Sequence, residues 1–129
     1  MRTTICCLAI AIVALSPRAG RAQAPASDTA SSKTYFDFQV EVPVKARTPV
    51  KPVYPSNLRS SRIGGEVLVQ FIVDERGNAD MNSFKVLRST DNEFSESVRR
   101  AVRASSYHPA EVHGRKVKQL VQQPFMFAR

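Results

Sequence analysis

Residues Glu66 to Val73 constrain the fold more than any other stretch of this chain. Val67, Val69, Phe71 and Val73 share one face of an extended strand, and Leu68 and Ile72 make the opposite face partly apolar as well. A strand that is apolar on both sides belongs near the middle of a sheet. Asp74-Glu75-Arg76-Gly77-Asn78 supplies turn residues directly after it, and Met81 to Arg88 returns with Phe84 and Val86 on one face. The pair reads as a β-hairpin.

Helices are expected before and after the hairpin. Ser56 or Asn57 caps a short one that ends near Arg62, where Gly64-Gly65 stops it. Asp91 or Asn92 starts a second, with Glu93 and Glu96 in its first turn, at the positive end of the helix dipole. Phe94, Val98, Ala101, Val102 and Ser105 form one packing stripe on it, and Arg99, Arg100 and Arg103 fall largely outside that stripe. Tyr107-His108-Pro109-Ala110 breaks the helix and His113-Gly114 makes a turn. Val117 to Gln123 then forms a last strand, interrupted by Pro124 before Phe125 and Phe127. The order helix, strand, strand, helix, strand describes a small α+β domain over residues 51–129.

The chain ahead of that domain has a different character. Its 129 residues allow one small domain and exclude a multidomain enzyme. Arg2, the uncharged run Ile5 to Leu15 and the small-x-small stretch Ala22-Gln23-Ala24 read as a secretory signal peptide over residues 1–24, cut after Ala22 or Ala24. The run is too short to span a bilayer, which takes about 20 apolar residues; an uncleaved short anchor is the alternative. Cys6 and Cys7 leave with the peptide, so the mature protein carries no disulfide, as suits a small periplasmic domain. Loss of Arg2, Arg18 and Arg21 leaves 16 basic against 11 acidic residues, a formal charge of +5 in place of +8. Residues 25–50 read as a linker. Pro25 to Ser32 is small and polar, and Phe36, Phe38, Val40 and Val42 alternate with polar residues as in an extra strand over residues 36–42. Pro43, Pro49, Pro52 and Pro55 then make an extended, PPII-like tether.

Taken in order, a set of short motifs carries a family resemblance. Tyr54-Pro55, Ile63-x-Gly65-x-Val67, the Asp74-x-x-Gly77 hairpin, Arg88-Ser89, Ala101-Val102-Arg103, Tyr107-x-Pro109-Ala110, Gly114-x-x-Val117 and Pro124-x-Met126-Phe127 together resemble the C-terminal domain of TonB proteins, over about Lys51 to Arg129. The resemblance implies two helices on a three-stranded antiparallel sheet that binds a short extended segment of outer-membrane TonB-dependent receptors and passes on energy from an inner-membrane motor. It also implies the motor proteins ExbB and ExbD as partners if the N-terminus is retained as an anchor. TonB proteins proper carry a longer N-terminal helix with a functional histidine and a longer Pro-rich segment than this chain has.

Topology suggests how such a domain binds. If the third strand pairs antiparallel to the first, it is a sheet edge with unpaired N–H and C=O groups, to which an extended peptide can add. The candidate edge residues are Lys116, Val117, Lys118, Gln119, Leu120, Val121, Gln122 and Gln123, with Tyr54 and Pro55 as receptor-proximal candidates. The extra strand could fold back onto this edge, or onto that of a second copy as a homodimer. An enzyme is not indicated. His108 and His113 share no helical face and have no thiol or carboxylate cluster with them, so no metal or cofactor is expected. Ser105-Ser106 beside His108 lacks an orienting acid or an oxyanion motif. The alternative function is an envelope structural protein that binds anionic cell-wall polymer through Arg99, Arg100 and Arg103; export argues against nucleic acid.

Overall fold

The computed structural model describes residues 33–128, so the signal peptide expected over residues 1–24 and the polar stretch up to Ser32 lie outside the described residues. Seven strands and two helices follow: β1 (Thr34–Tyr35), β2 (Lys45–Ala46), α1 (Ser56–Ser60), β3 (Gly65–Val73), β4 (Ala79–Ser89), α2 (Asn92–Ala104), β5 (Tyr107–His108), β6 (Ala110–Val112) and β7 (Arg115–Phe127). The central strand is β3, antiparallel to β4 on one side and to β7 on the other. That arrangement satisfies its two apolar faces. Val67, Val69, Phe71 and Val73 are fully buried towards α2, and Leu68, Gln70 and Ile72 lie half-buried on the other face. Each inward side chain contributes about 1.5–3 kcal/mol by leaving water.

The expected helix, strand, strand, helix, strand order is present as α1, β3, β4, α2 and β7, but the sheet is wider than three strands. Its order is β1-β7-β3-β4, β6 pairs with β7 as well, and β2 and β5 form a separate two-stranded ladder. The extra strands come from segments too short to carry a hydrophobic period.

Asp91 caps α2, its carboxylate accepting the Glu93 N–H at 2.8 Å. Phe94, Val98 and Val102 are buried along the expected stripe, and Phe94 stacks on Phe127 at 4.2 Å. α1 departs from expectation at both ends. Pro55 occupies its N-cap position, and Asn57 reaches across to donate to Glu93 Oε1. Its stop is Arg62, at φ 54°, with the Ile63 N–H bonded back to the Leu58 carbonyl; Gly64 and Gly65 come after the turn.

The expected strand over residues 36–42 does not form. After the two residues of β1, Asp37–Gln39 makes a 3-10 turn. Asp37 Oδ1 accepts the Phe38 N–H and Gln39 Oε1 accepts the Phe36 N–H. These short polar side chains bind their own backbone and withdraw it from any ladder. The Pro-rich tether is extended, yet it is wrapped on the domain. Val44, Ala46, Val50 and Tyr54 pack against the core, β2 pairs with β5, and the Val44 N–H donates to the buried Gln119 Oε1 at 2.8 Å. β7 also runs further than Val117 to Gln123, passing through Pro124 without interruption.

Candidate functional site

Pro124 reveals which way the backbone of β7 points. It has no N–H to give, yet the ladder with β3 holds one register from Gly65↔Phe127 to Val73↔Gln119. Leu68↔Pro124 is therefore a non-hydrogen-bonded pair, and backbone direction alternates from there along the strand. The N–H and C=O groups of Lys118, Leu120, Gln122 and Met126, and the Pro124 carbonyl, turn away from β3. This outward row is the edge anticipated from topology, and proline is tolerated in it because no ladder bond is lost.

Part of the row is already paired. β6 pairs with β7 from Arg115 to Val117, but Glu111 directs its N–H and C=O at Val42, so Arg115 and Val117 are the bonded residues and β6 continues the β3 side of the strand instead of covering the outward row. β1 lies parallel to β7, with Thr34 opposite Lys118 and Tyr35 opposite Gln119. The Gln119 side chain is spent on the Val44 N–H. Leu120 closes the β1 pairing, its N–H facing the Tyr35 carbonyl, and Val121, Gln122 and Gln123 lie beyond both pairings, as do Pro124 and Met126. The Gln122 side chain donates to Gln70 Oε1 at 3.0 Å. From Gln122 to Met126 no backbone hydrogen bond to another described residue occupies the outward row.

Two grooves flank this free stretch. One, of about 410 Å3, lies where the β1 segment leaves the edge, between Phe36, Asp37, Val44, Leu120 and Gln122. The other, of about 630 Å3, runs between Val50 to Tyr54 and Gln123 to Ala128, with Arg59 on its wall. Tyr54 is the fixed post of this second groove. Its hydroxyl donates to the Ile63 carbonyl, its ring meets Phe94 and Phe127 edge-on at 5.5 and 5.6 Å, and Arg59 lies over it at 5.4 Å. Pro55 is set back at the start of α1, its carbonyl accepting the Arg59 N–H. Val53 and Met126, 76% and 74% exposed, line the groove as apolar contacts that side-chain patterning missed. Pro124 inside an otherwise strand-like run was the available signal for an edge.

The arginine face is less uniform than its spacing implied. Arg99 lies over the Phe84 ring at 4.9 Å and pairs with Glu96 at 3.7 Å, whereas Arg100 and Arg103 are exposed. His113 pairs with Glu41 at 3.0 Å, and His108 is exposed on β5. Among the described residues no three His, Cys, Asp or Glu side chains gather at one point. The Tyr107 phenol is buried without a hydrogen-bond partner. Burial pushes it above its ordinary 10.0; the nearby Ser105 hydroxyl opposes this, but it donates to the Ala101 carbonyl and stands outside bonding geometry with the phenol.

A two-helix α+β domain whose last strand keeps an open stretch of backbone invites comparison with interaction domains. The sequence profile of the Gram-negative bacterial TonB protein C-terminal family matches residues 50–128. The chain belongs to the TonB C-terminal family. Its fold is similar to the solution NMR structure of the Pseudomonas aeruginosa TonB C-terminal domain, at 28% identity and a TM-score of 0.57, over 67% of this chain and 86% of that one. A structure of the TonB2 protein from Vibrio anguillarum aligns at 26% identity and a TM-score of 0.48, over 77% of this chain and 95% of that one. No curated protein matches. TonB C-terminal domains are protein-interaction modules of the bacterial envelope, in general engaging outer-membrane receptors in transport.

Proposed function

We propose that this TonB domain works in the periplasm, after export by the signal peptide, and captures an extended TonB-box-type segment of an outer-membrane receptor as an added strand on β7. The observation that carries this reading is the unpaired outward row from Gln122 to Met126, bounded by a groove on either side. Main-chain hydrogen bonds would hold the guest, each with a net value of about 0.5–1.5 kcal/mol. Side chains of an added strand point alternately to the two sheet faces. Those entering the outer groove meet Pro52, Val53 and Tyr54 with Lys51 and Arg59 among the walls, a lining that favours apolar residues accompanied by acidic ones. Binding is modest and reversible on these terms.

The test is a backbone amide NMR titration of the protein with a synthetic TonB-box peptide at low and high salt. Shifts centred on Gln122 and Met126 that persist in salt are expected. Shifts confined to Arg100 and Arg103 and abolished by salt would replace this reading with that of an anionic-polymer binder.

A further inference from the structure

β1 is a strand of this chain lying where a guest strand would lie. By the alternation fixed at Pro124, Lys118 and Leu120 face β1, and the parallel register then makes Tyr35 the residue whose N–H and C=O point into β7 while those of Thr34 point away. β1 has only two residues, both half-buried, and the chain leaves the edge at once through the Asp37–Gln39 turn. The rest of the segment is held by other means. Val42 exchanges backbone hydrogen bonds with Glu111, the Val44 N–H is bonded to Gln119, β2 pairs with β5, and Arg47 donates from its backbone to Ser106 and from Nε to the Tyr107 carbonyl.

Resting on the strand-addition reading above, we propose that Tyr35 is a specificity-determining residue: by occupying the Lys118 to Leu120 part of the edge, it limits the length of segment that β7 accepts without rearrangement. A segment of about six residues fits alongside Gln122 to Phe127 at roughly 3.3 Å per residue and leaves β1 in place. A segment of about eleven residues overlaps Thr34 and Tyr35 and must displace them to complete its pairing. The anchors from Val42 to Arg47 keep the displaced strand close by, so it competes at high effective concentration and returns when the guest leaves.

The experiment measures the affinity of synthetic extended peptides of both lengths for the full chain and for two variants, with amide NMR as the second readout. Tyr35→Pro removes the N–H directed at β7, and Thr34→Pro removes one directed away, serving as the backbone control. The expected result is an affinity gain of about tenfold for the long peptide in Tyr35→Pro, the worth of one or two net hydrogen bonds. No change is expected for the short peptide, nor for either peptide in Thr34→Pro. If both peptides shift Gln122 and Met126 but Tyr35→Pro alters neither affinity, the length-limiting role is wrong and edge capture stands. If neither peptide moves Gln122 or Met126 in any variant, edge capture itself falls, and the role of Tyr35 with it.

Discussion

Gly77 is the point at which the hairpin and the chain after α2 are pressed together, and its replacement by alanine tests that contact. Gly77 has φ +87°, and a Cβ built there would lie 2.0 Å from the Tyr107 carbonyl oxygen. Its own carbonyl accepts the Tyr107 N–H at 2.9 Å, and the Tyr107 carbonyl in turn accepts Arg47 Nε at 3.1 Å. An alanine in the left-handed region costs about 1–2 kcal/mol by itself. The clash is backbone against carbon and is relieved only if β5 retreats, which gives up those two hydrogen bonds at about 1 kcal/mol each or somewhat more for the charged donor. The sum, about 3–5 kcal/mol, is a large part of the roughly 5–15 kcal/mol of a small domain. Gly114→Ala provides the comparison. Its φ is +73°, yet nothing lies within 4 Å of its Cβ position, so only the backbone term applies. Urea unfolding followed by circular dichroism should show a midpoint lowered by roughly 2 M for Gly77→Ala and by less than about 1 M for Gly114→Ala. Equal losses in the two variants would refute the contact between β5 and the turn.

Asp91→Ala removes the α2 cap and should lower stability by about 1 kcal/mol, read by thermal melting, with Asp91→Asn close to the parent. Gln119→Leu leaves the Val44 N–H without its acceptor, at a cost of about 1–3 kcal/mol. Faster hydrogen exchange should appear at Val44 and its neighbours in the wrapped segment while the β3 amides keep their protection; uniform acceleration over the whole domain would contradict a local anchor. The buried phenol makes a pH prediction. Tyr107 binds its proton more tightly folded than unfolded, so its contribution is intact below about pH 10 and lost as pH rises from there through its folded value. Tyr107→Phe should therefore match the parent at neutral pH or exceed it, since a partnerless hydroxyl is removed, and should lose less stability than the parent in urea titrations above pH 10.

The elements with a strong period were legible in the sequence. The two-faced run Glu66 to Val73 implied a central strand, and the Phe94-Val98-Val102 stripe with Asp91 ahead of it gave the long helix nearly to the residue. What could not be read is short or depends on distant partners. β1, β2 and β5 have two residues each, too few to show alternation, and each exists only because a strand remote in sequence presents free backbone groups. Phe36 to Val42 shows the opposite case. It had the right period, but Asp37 and Gln39 supply local hydrogen bonds that a pattern of apolar positions does not register. In the Pro-rich stretch the apolar Val44, Ala46 and Val50 were hidden among the prolines, and their even spacing was the sign that one side of it packs on the core. Of the candidate edge, its existence and strand were readable. The division of that strand between neighbours was not, because it is set by β1 and β6.

The wrapped segment has a mechanical meaning. Its attachments come in chain order: β1 on β7, Val42 on Glu111, Val44 on Gln119, β2 on β5, and Val50 against the core. Load applied from the side of Lys33 reaches them one after another, each being a clasp of a few weak bonds, before it reaches α1 or the central sheet. Released from Thr34 to Val50, the chain pays out as much as roughly 55 Å at about 3.3 Å per residue. A domain tugged from its N-terminal side would thus lengthen in steps at low force while β7, with whatever it holds, remains folded.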